Sequence, residues 1–245
     1  MYAPFAHSRK LPMNSPDFCF PPAPVTTLPV VGDSRVFPVR RVFCVGRTYA
    51  AHAREMGGDP TREPPFFFAK PADGLVVVAD GVTGEVHYPP VTRDLHHEVE
   101  MVVAIGTGGA DIPAESASSH LFGYAIGLDL TRRDLQAALK AKGQPWEMGK
   151  AFDESAPISP LVRLPAAPAS GEIWLDVNGQ RKQQGDLADM IWPVADIVAQ
   201  LSRLVRLAAG DLIFTGTPEG VGPLVRDDLV TAGIAGVGRL SLRIV

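Results

Sequence analysis

The feature that most limits what this chain can fold into is a series of short apolar, β-rich runs that do not alternate with helical patterns. Arg41–Gly46, Phe66–Ala69, His96–Ile105, Phe122–Leu130, Asp211–Thr215 and Leu240–Val245 each combine strand length with β-branched, aromatic or aliphatic residues. Ile173–Val177, Asn178-Gly179 and Gln180–Gln184 form a hairpin signature, because Asn-Gly supplies the two positive-φ positions of a tight turn. Only three helical patterns are visible. One is capped by Thr48 and runs to Met56, ending at Gly57 and Gly58; one starts at Thr131 and runs to about Lys142; one is opened by Pro193 and runs to about Leu207. Strands do not alternate with helices as a doubly wound parallel sheet requires, so the expected class is α+β: mixed β-sheet layers with few short helices.

The prolines divide the chain. Residues 1–30 hold seven of them, a density that blocks helices and sheet ladders. We read 1–16 as a loose arm, 17–37 as an extended lead-in, and 17–245 as a single domain. The net charge is −4, which gives no electrostatic case for nucleic acid or an anionic membrane surface. No stretch is apolar for long enough to cross a bilayer, and no apolar segment follows Arg9 and Lys10 to make a secretory signal. Two cysteines, Cys19 and Cys44, fit free thiols in a reducing cytoplasm better than a disulfide framework.

Within this frame, five places carry residues with chemistry to offer. Glu98 and Glu100 are alternate residues of an apolar strand, so both point to one face. Two adjacent carboxylates repel, and burying them needs a cation; a solvent-facing pair at a strand end is the local alternative. Asp129 closes an apolar run and needs a partner, or caps the helix that follows. All-oxygen ligands favour Mg²⁺ or Mn²⁺, with Ca²⁺ possible, over Zn²⁺. His52 and Glu55 share a helix face at i,i+3, as a general-base dyad or a surface ion pair would. Lys150 sits among Trp146, Met148 and Phe152, where it is either desolvated or reaches out to water. The Gly-rich segment 210–222 lacks the Gly-Lys-Ser/Thr of a phosphate loop, but its N–H groups, with Thr215 and Thr217, could receive a carboxylate. His96 is expected on the Glu98 face and is left open; His97 is expected opposite, as a structural residue.

Taken in order, GRTYAAHAREM (46–56), FFFAKP (66–71), LHHEVEMVVAIG (95–106), GYAIGLDLTRRDLQ (123–136), KGQPWEMGKAFDESAPISP (142–160) and GDLIFTGTPEGVG (210–222) resemble the fumarylacetoacetate hydrolase family, specifically its acylpyruvate hydrolase branch. The resemblance implies a mixed-β catalytic domain, commonly a homodimer, acting on a small oxo-acid. It assigns Glu98, Glu100 and Asp129 to a Mg²⁺ or Mn²⁺ ion. It makes His52 and Glu55 a dyad on a lid over 47–58, and Arg133, Gln136, Lys150 and Thr217 substrate contacts. The implied reaction is hydrolytic C–C cleavage of a 2,4-dioxo acid, with Lys150 stabilising the developing enolate. The segments 37–47 and 62–73 most resemble bacterial fumarylpyruvate hydrolases, whose dianionic substrate suits Arg133 and a second cation, Arg47. Oxaloacetate decarboxylation and oxo-acid isomerisation or dehydration use the same platform, and a non-catalytic metal-binding dimer is the reading from another class. One departure is Thr48, where the family usually has Asn.

Overall fold

The computed structural model describes residues 18–55 and 64–245; the expected 1–16 arm and the Met56–Gly58 helix end lie outside them. Among the described residues the strands form four sheets. The largest has seven strands, in the order Phe66–Lys70, Arg41–Gly46, Asp211–Phe214, Val99–Ile105, Leu121–Leu128, Ala156–Ile158 and Leu75–Val77. A five-stranded sheet runs Gln180–Asp186, Glu172–Val177, Leu229–Ile234, Gly238–Ile244 and Thr83–Val86. Both are mixed: Asp211–Phe214 lies parallel to Arg41–Gly46 but antiparallel to Val99–Ile105. Among the described residues, four α-helices complete the frame: α1 (Ala50–Glu55), α2 (Arg133–Ala141), α3 (Glu147–Lys150) and α4 (Val194–Leu204). The α+β expectation therefore holds.

Strand parity distributes the core. Val99, Met101, Val103 and Ile105 point into one apolar cluster with Leu175, Ala232 and Leu242 of the five-stranded sheet and Ile197 and Leu201 of α4. Val102 and Ala104 point the other way, to a second cluster with Phe214, Leu28 and Phe37. Every residue of Val99–Ile105 is buried. This explains why the run reads as continuous apolar sequence and not as alternation. At about 25 cal/mol per Å² of apolar surface, such two-sided burial makes substitutions in this strand costly.

Several expectations need correction. The run 96–105 is not one strand: Leu95–His97 belongs to a three-stranded sheet and Val99–Ile105 to the seven-stranded one, with Glu98 at the break. The Glu98 carbonyl accepts from Asp129 N–H at 2.9 Å, tying the two acid-bearing segments together at that break. The lead-in 17–37 is not simply extended, since Thr27–Val30 and Asp33–Pro38 pair as a hairpin. Thr131 does not cap α2; its hydroxyl donates to Glu98 Oε1 (3.2 Å) and to the Asp129 carbonyl (3.1 Å). Asp134 steadies that helix start instead, accepting from the Thr92 hydroxyl (2.6 Å) and from the N–H groups of Arg93 and Leu135. Helix α4 ends at Leu204, short of Leu207, because Val205 is extended and Leu207 bridges to Gly109. The Asn178-Gly179 turn has the expected left-handed φ values of 52° and 76°.

Candidate metal centre

Glu98, Glu100 and Asp129 converge. One carboxylate oxygen from each lies within 4.8 Å of the others, and all three residues are buried. Glu98 sits at the strand break, Glu100 in the strand that follows it, and Asp129 just past the neighbouring Leu121–Leu128 strand, so the three acids meet at the ends of two adjacent interior strands.

Cations hold this negative charge from behind and from the side. Lys150 Nζ donates to Glu98 Oε2 (2.9 Å) and Asp129 Oδ2 (2.7 Å). Arg133 Nη2 donates to Glu98 Oε1 at 2.5 Å, while its Nη1 donates to Gln136 Oε1 at 2.6 Å. Lys70 is a buried lysine that sequence reasoning missed. Its Nζ sits 2.9 Å from Asp129 Oδ1 and donates to the carbonyls of Leu130 and Lys150. The signal for it was a lysine closing the apolar run Phe66–Ala69.

The charges settle unevenly. Burial alone would raise the Glu98 carboxyl, but Lys150 and Arg133 outweigh it and hold it well below the usual range. Glu100 goes the other way: burial, then Asp129 and Glu98, push it well above the usual range, and the Gly216 N–H at 2.7 Å compensates only in part. Burial would likewise lower Lys150, but Asp129 and Glu98 raise it, so its ammonium stays charged.

These residues fit a hard divalent cation. Glu100 is a buried acid left short of positive charge by the surrounding lysines and arginine. Asp129 Oδ1 is buried without a hydrogen bond, because the nearby Lys70 ammonium is a charge partner lying off the hydrogen-bonding direction. An all-carboxylate donor set suits Mg²⁺ or Mn²⁺.

The triad lines a cleft that opens to solvent. His52 on α1 is buried and lines this cavity; Arg47, Arg133, Gln136, Lys150 and Thr217 line it too. Glu55 closes α1, but its side chain lies outside the described residues. Thr48 does not cap α1 through its side chain. Its hydroxyl is buried and without a hydrogen-bond partner, and a Cβ on Gly216 would lie 1.8 Å from it. Gly216 has φ +93°, so both its conformation and this contact demand glycine.

Two histidines beside the acids are not ligands. His97 Nδ1 is 2.9 Å from Gln183 Oε1, which also accepts from Val99 N–H. Gln183 Nε2 donates to Thr217 Oγ1 (2.8 Å) and the Pro218 carbonyl. This buried amide, also missed in the sequence, ties the strand between the two glutamates to the Gly-rich loop. His96 stands behind Arg133, with Nε2 2.9 Å from Asp94 and Nδ1 accepting from Arg133 Nε. Burial and the Arg133 charge keep His96 below its usual pKa range.

Residues 41–245 match the family described as fumarylacetoacetate (FAA) hydrolase C-terminal. The chain belongs to this family. Among solved structures, fumarylpyruvate hydrolase from Pseudomonas aeruginosa, in complex with Mn²⁺ and pyruvate, superposes with a TM-score of 0.92. That match is 53% identical and covers 94% of this chain and 99% of that one. Among curated relatives, the mitochondrial oxaloacetate tautomerase FAHD1 of Arabidopsis thaliana is 42% identical over 205 residues, 82% of this chain and 89% of its own length. The mitochondrial oxaloacetate decarboxylase of Dictyostelium discoideum is 40% identical over 200 residues, 81% and 90% of the two chains. Membership makes this a metal-dependent enzyme of the family's hydrolase and lyase chemistry. Among the described residues, no helix is long and apolar enough to cross a membrane.

Proposed function

We propose that this chain hydrolyses acylpyruvates, cleaving fumarylpyruvate to fumarate and pyruvate. The observation that carries this reading is its near full-length likeness to the Pseudomonas aeruginosa fumarylpyruvate hydrolase bound to Mn²⁺ and pyruvate. The cavity supports it by combining an acidic cation site, a buried histidine and lysine, and arginine in one space.

Glu98, Glu100 and Asp129 would hold Mg²⁺ or Mn²⁺; Ca²⁺ fits the same donor set. A bound divalent ion supplies Lewis-acid polarisation of the substrate's 2-oxo group. Gln136 offers its amide NH₂ to the substrate carboxylate, because Arg133 already occupies its carbonyl oxygen. His52, with Glu55 as its proposed orienting partner, takes a proton from water, which attacks the C4 carbonyl carbon. The C3–C4 bond then breaks, its electron pair passes to C3, and the acyl group leaves as a carboxylate. The Lys150 ammonium faces the oxygen of the pyruvate enolate as negative charge develops there, until protonation at C3 gives pyruvate. The Thr217 hydroxyl, fixed by Gln183, lines the same wall. Closure of the described segment that carries Arg47 and His52 would exclude bulk water from this chemistry. We also propose a homodimer, and a reducing compartment such as the cytoplasm, which agrees with two free thiols.

A second reading is favoured by the relatives named as oxaloacetate tautomerase and decarboxylase. Those reactions need enolate stabilisation but no attacking water. The deciding assay gives Mg²⁺-loaded protein fumarylpyruvate, acetylpyruvate and oxaloacetate. Dioxo-enol absorbance should decay with release of pyruvate, and His52→Ala should lower that rate by roughly 10²–10⁴-fold. Turnover of oxaloacetate alone, undiminished in His52→Ala, would replace the first reading by the second.

A further inference from the structure

The strand Gln180–Asp186 (QRKQQGD) carries no apolar side chain, yet it sends one residue deep into the interior. Gln183 is fully buried, while Lys182 and Gln184 beside it are exposed. A buried amide is costly unless its oxygen and both its hydrogens are bonded. Here all are. Gln183 Oε1 accepts from Val99 N–H (3.1 Å) and faces His97 Nδ1 at 2.9 Å. Its Nε2 donates to the Pro218 carbonyl (2.9 Å) and to Thr217 Oγ1 (2.8 Å). His97 and Val99 flank Glu98, so one amide joins the chain on either side of a triad acid to the Gly-rich loop.

The two backbone partners fix which way round this amide sits. A backbone N–H only donates and a carbonyl only accepts, so the atom facing Val99 is the oxygen and the atom facing Pro218 is the nitrogen. Both Nε2 hydrogens are then committed, and the Thr217 oxygen is an acceptor toward Gln183. The hydrogen of the Thr217 hydroxyl has to leave in another direction. Thr217 is buried and lines the cleft together with Glu98 and Glu100. Among the described residues, Thr217 Oγ1 has Gln183 as its one hydrogen-bond partner.

We propose that Gln183 is a positioning residue: it turns the Thr217 hydroxyl into a one-way donor whose hydrogen is held toward the carboxylate of a bound oxo-acid. This rests on the oxo-acid reading of the cleft and deepens it. A free hydroxyl spreads its hydrogen over three staggered positions and accepts as readily as it donates. Gln183 chooses the donating orientation before any ligand arrives. An anion entering the cleft then meets a donor that needs no reordering, which is the advantage of a preorganised site.

The test reads pyruvate binding to Mn²⁺-loaded protein by calorimetry, so it does not depend on turnover. Gln183→Glu keeps the shape and the acceptor for Val99 and His97, but its carboxylate accepts from Thr217 and turns the hydrogen away from the cleft. Affinity should fall by about tenfold or more, the scale of one hydrogen bond to a charged group. Gln183→Met removes every one of these bonds and leaves the Thr217 hydroxyl free to rotate. Affinity should then fall only about threefold, the share of one staggered position in three. A glutamine that acts through packing and strand tethering alone predicts the opposite order, because Met leaves more partners unsatisfied than Glu does. Thr217→Val removes the hydroxyl, and in that background neither Gln183 change should lower affinity further. Gln183→Met buries no charge, so with the Thr217→Val background it tests the claim even where Gln183→Glu does not fold. A loss in the Met variant equal to or larger than that in the Glu variant would overturn the proposal. So would losses that are the same with and without the Thr217 hydroxyl, or a wild-type protein that binds no pyruvate. The expected order without cleavage of any acylpyruvate would leave the role of Gln183 standing and remove the hydrolase reading.

Discussion

At the scale of single residues, the acid site is a problem of charge kept buried. Lys70 shows how it is managed: its ammonium is buried, lies beside Asp129 and donates to two backbone carbonyls. Lys70→Met keeps the volume but removes the charge, leaving Asp129 undercompensated. In metal-free protein this should cost about 3–5 kcal/mol, as breaking buried ion pairs does. Saturating Mn²⁺ should recover much of that loss, because the ion takes over the neutralisation and binds only the folded state. Denaturant unfolding of both proteins, with EDTA and then with Mn²⁺, checks this. An equal loss under both conditions would show that Lys70 acts by packing alone. The sequence made Glu98, Glu100 and Asp129 visible because carboxylates in apolar strands are costly and need a reason. Lys70 and Gln183 stayed hidden because their reasons lie far away in the chain. Lys70 answers Asp129, and Gln183 answers His97 and Thr217, 86 and 34 residues distant.

At the scale of elements, what could be read was local and what was missed was long-range. The Asn178-Gly179 hairpin was legible because two positive-φ positions are a purely local demand. Val99–Ile105 was legible as a buried strand from its composition, but the break at Glu98 was not. That break is set by pairing of Leu95–His97 with Thr131–Arg132 and Gly222–Leu224, segments that no local pattern links. Helix α2 gives a similar lesson. Its start looked like a Thr131 cap, but Thr131 is drawn to Glu98 and Asp134 does the local work instead. Burial would raise the Asp134 carboxyl, yet the Thr92 hydroxyl and two N–H groups win and lower it below 3.8. An acid with a lowered folded pKa stabilises fully above its unfolded pKa and loses that contribution as pH falls through the folded value. Asp134→Ala should therefore cost about 1 kcal/mol at neutral pH, the scale of one such hydrogen bond. The gap from wild type should close as pH drops below 3.8 and through the lower folded value. Chemical denaturation at pH 7, 4 and 3 measures it; a gap that is constant with pH would mean that the carboxylate charge is irrelevant to α2.

At the scale of the whole molecule, the site exists only when the sheets are assembled. Gly216 reaches Glu100 across 116 residues, and Lys150 reaches Glu98 across 52. Each contact depends on the Asp211–Phe214 and Leu121–Leu128 strands flanking Val99–Ile105. The order of motifs along the chain told which residues would meet, but the way they divide the charge came only with the packing. Glu98 takes two cations, Asp129 takes two, and Glu100 is left with a single N–H among the described contacts. Folding this site without its ion thus works against the rest of the core, and Glu100 bears most of the conflict. Glu100→Gln keeps the shape and an oxygen for the Gly216 N–H while removing one crowded charge. The metal-free variant should be more stable than wild type by about 1 kcal/mol, within the range seen when a functional site's strain is relieved. The same change removes a ligand, so Mn²⁺ should no longer raise the melting temperature as it does for wild type, and turnover should be lost. Thermal unfolding of both proteins with EDTA and with Mn²⁺ separates the two effects. A variant that is less stable without metal, or that gains as much from Mn²⁺ as wild type, would mean that Glu100 is a structural acid and that the ion sits elsewhere.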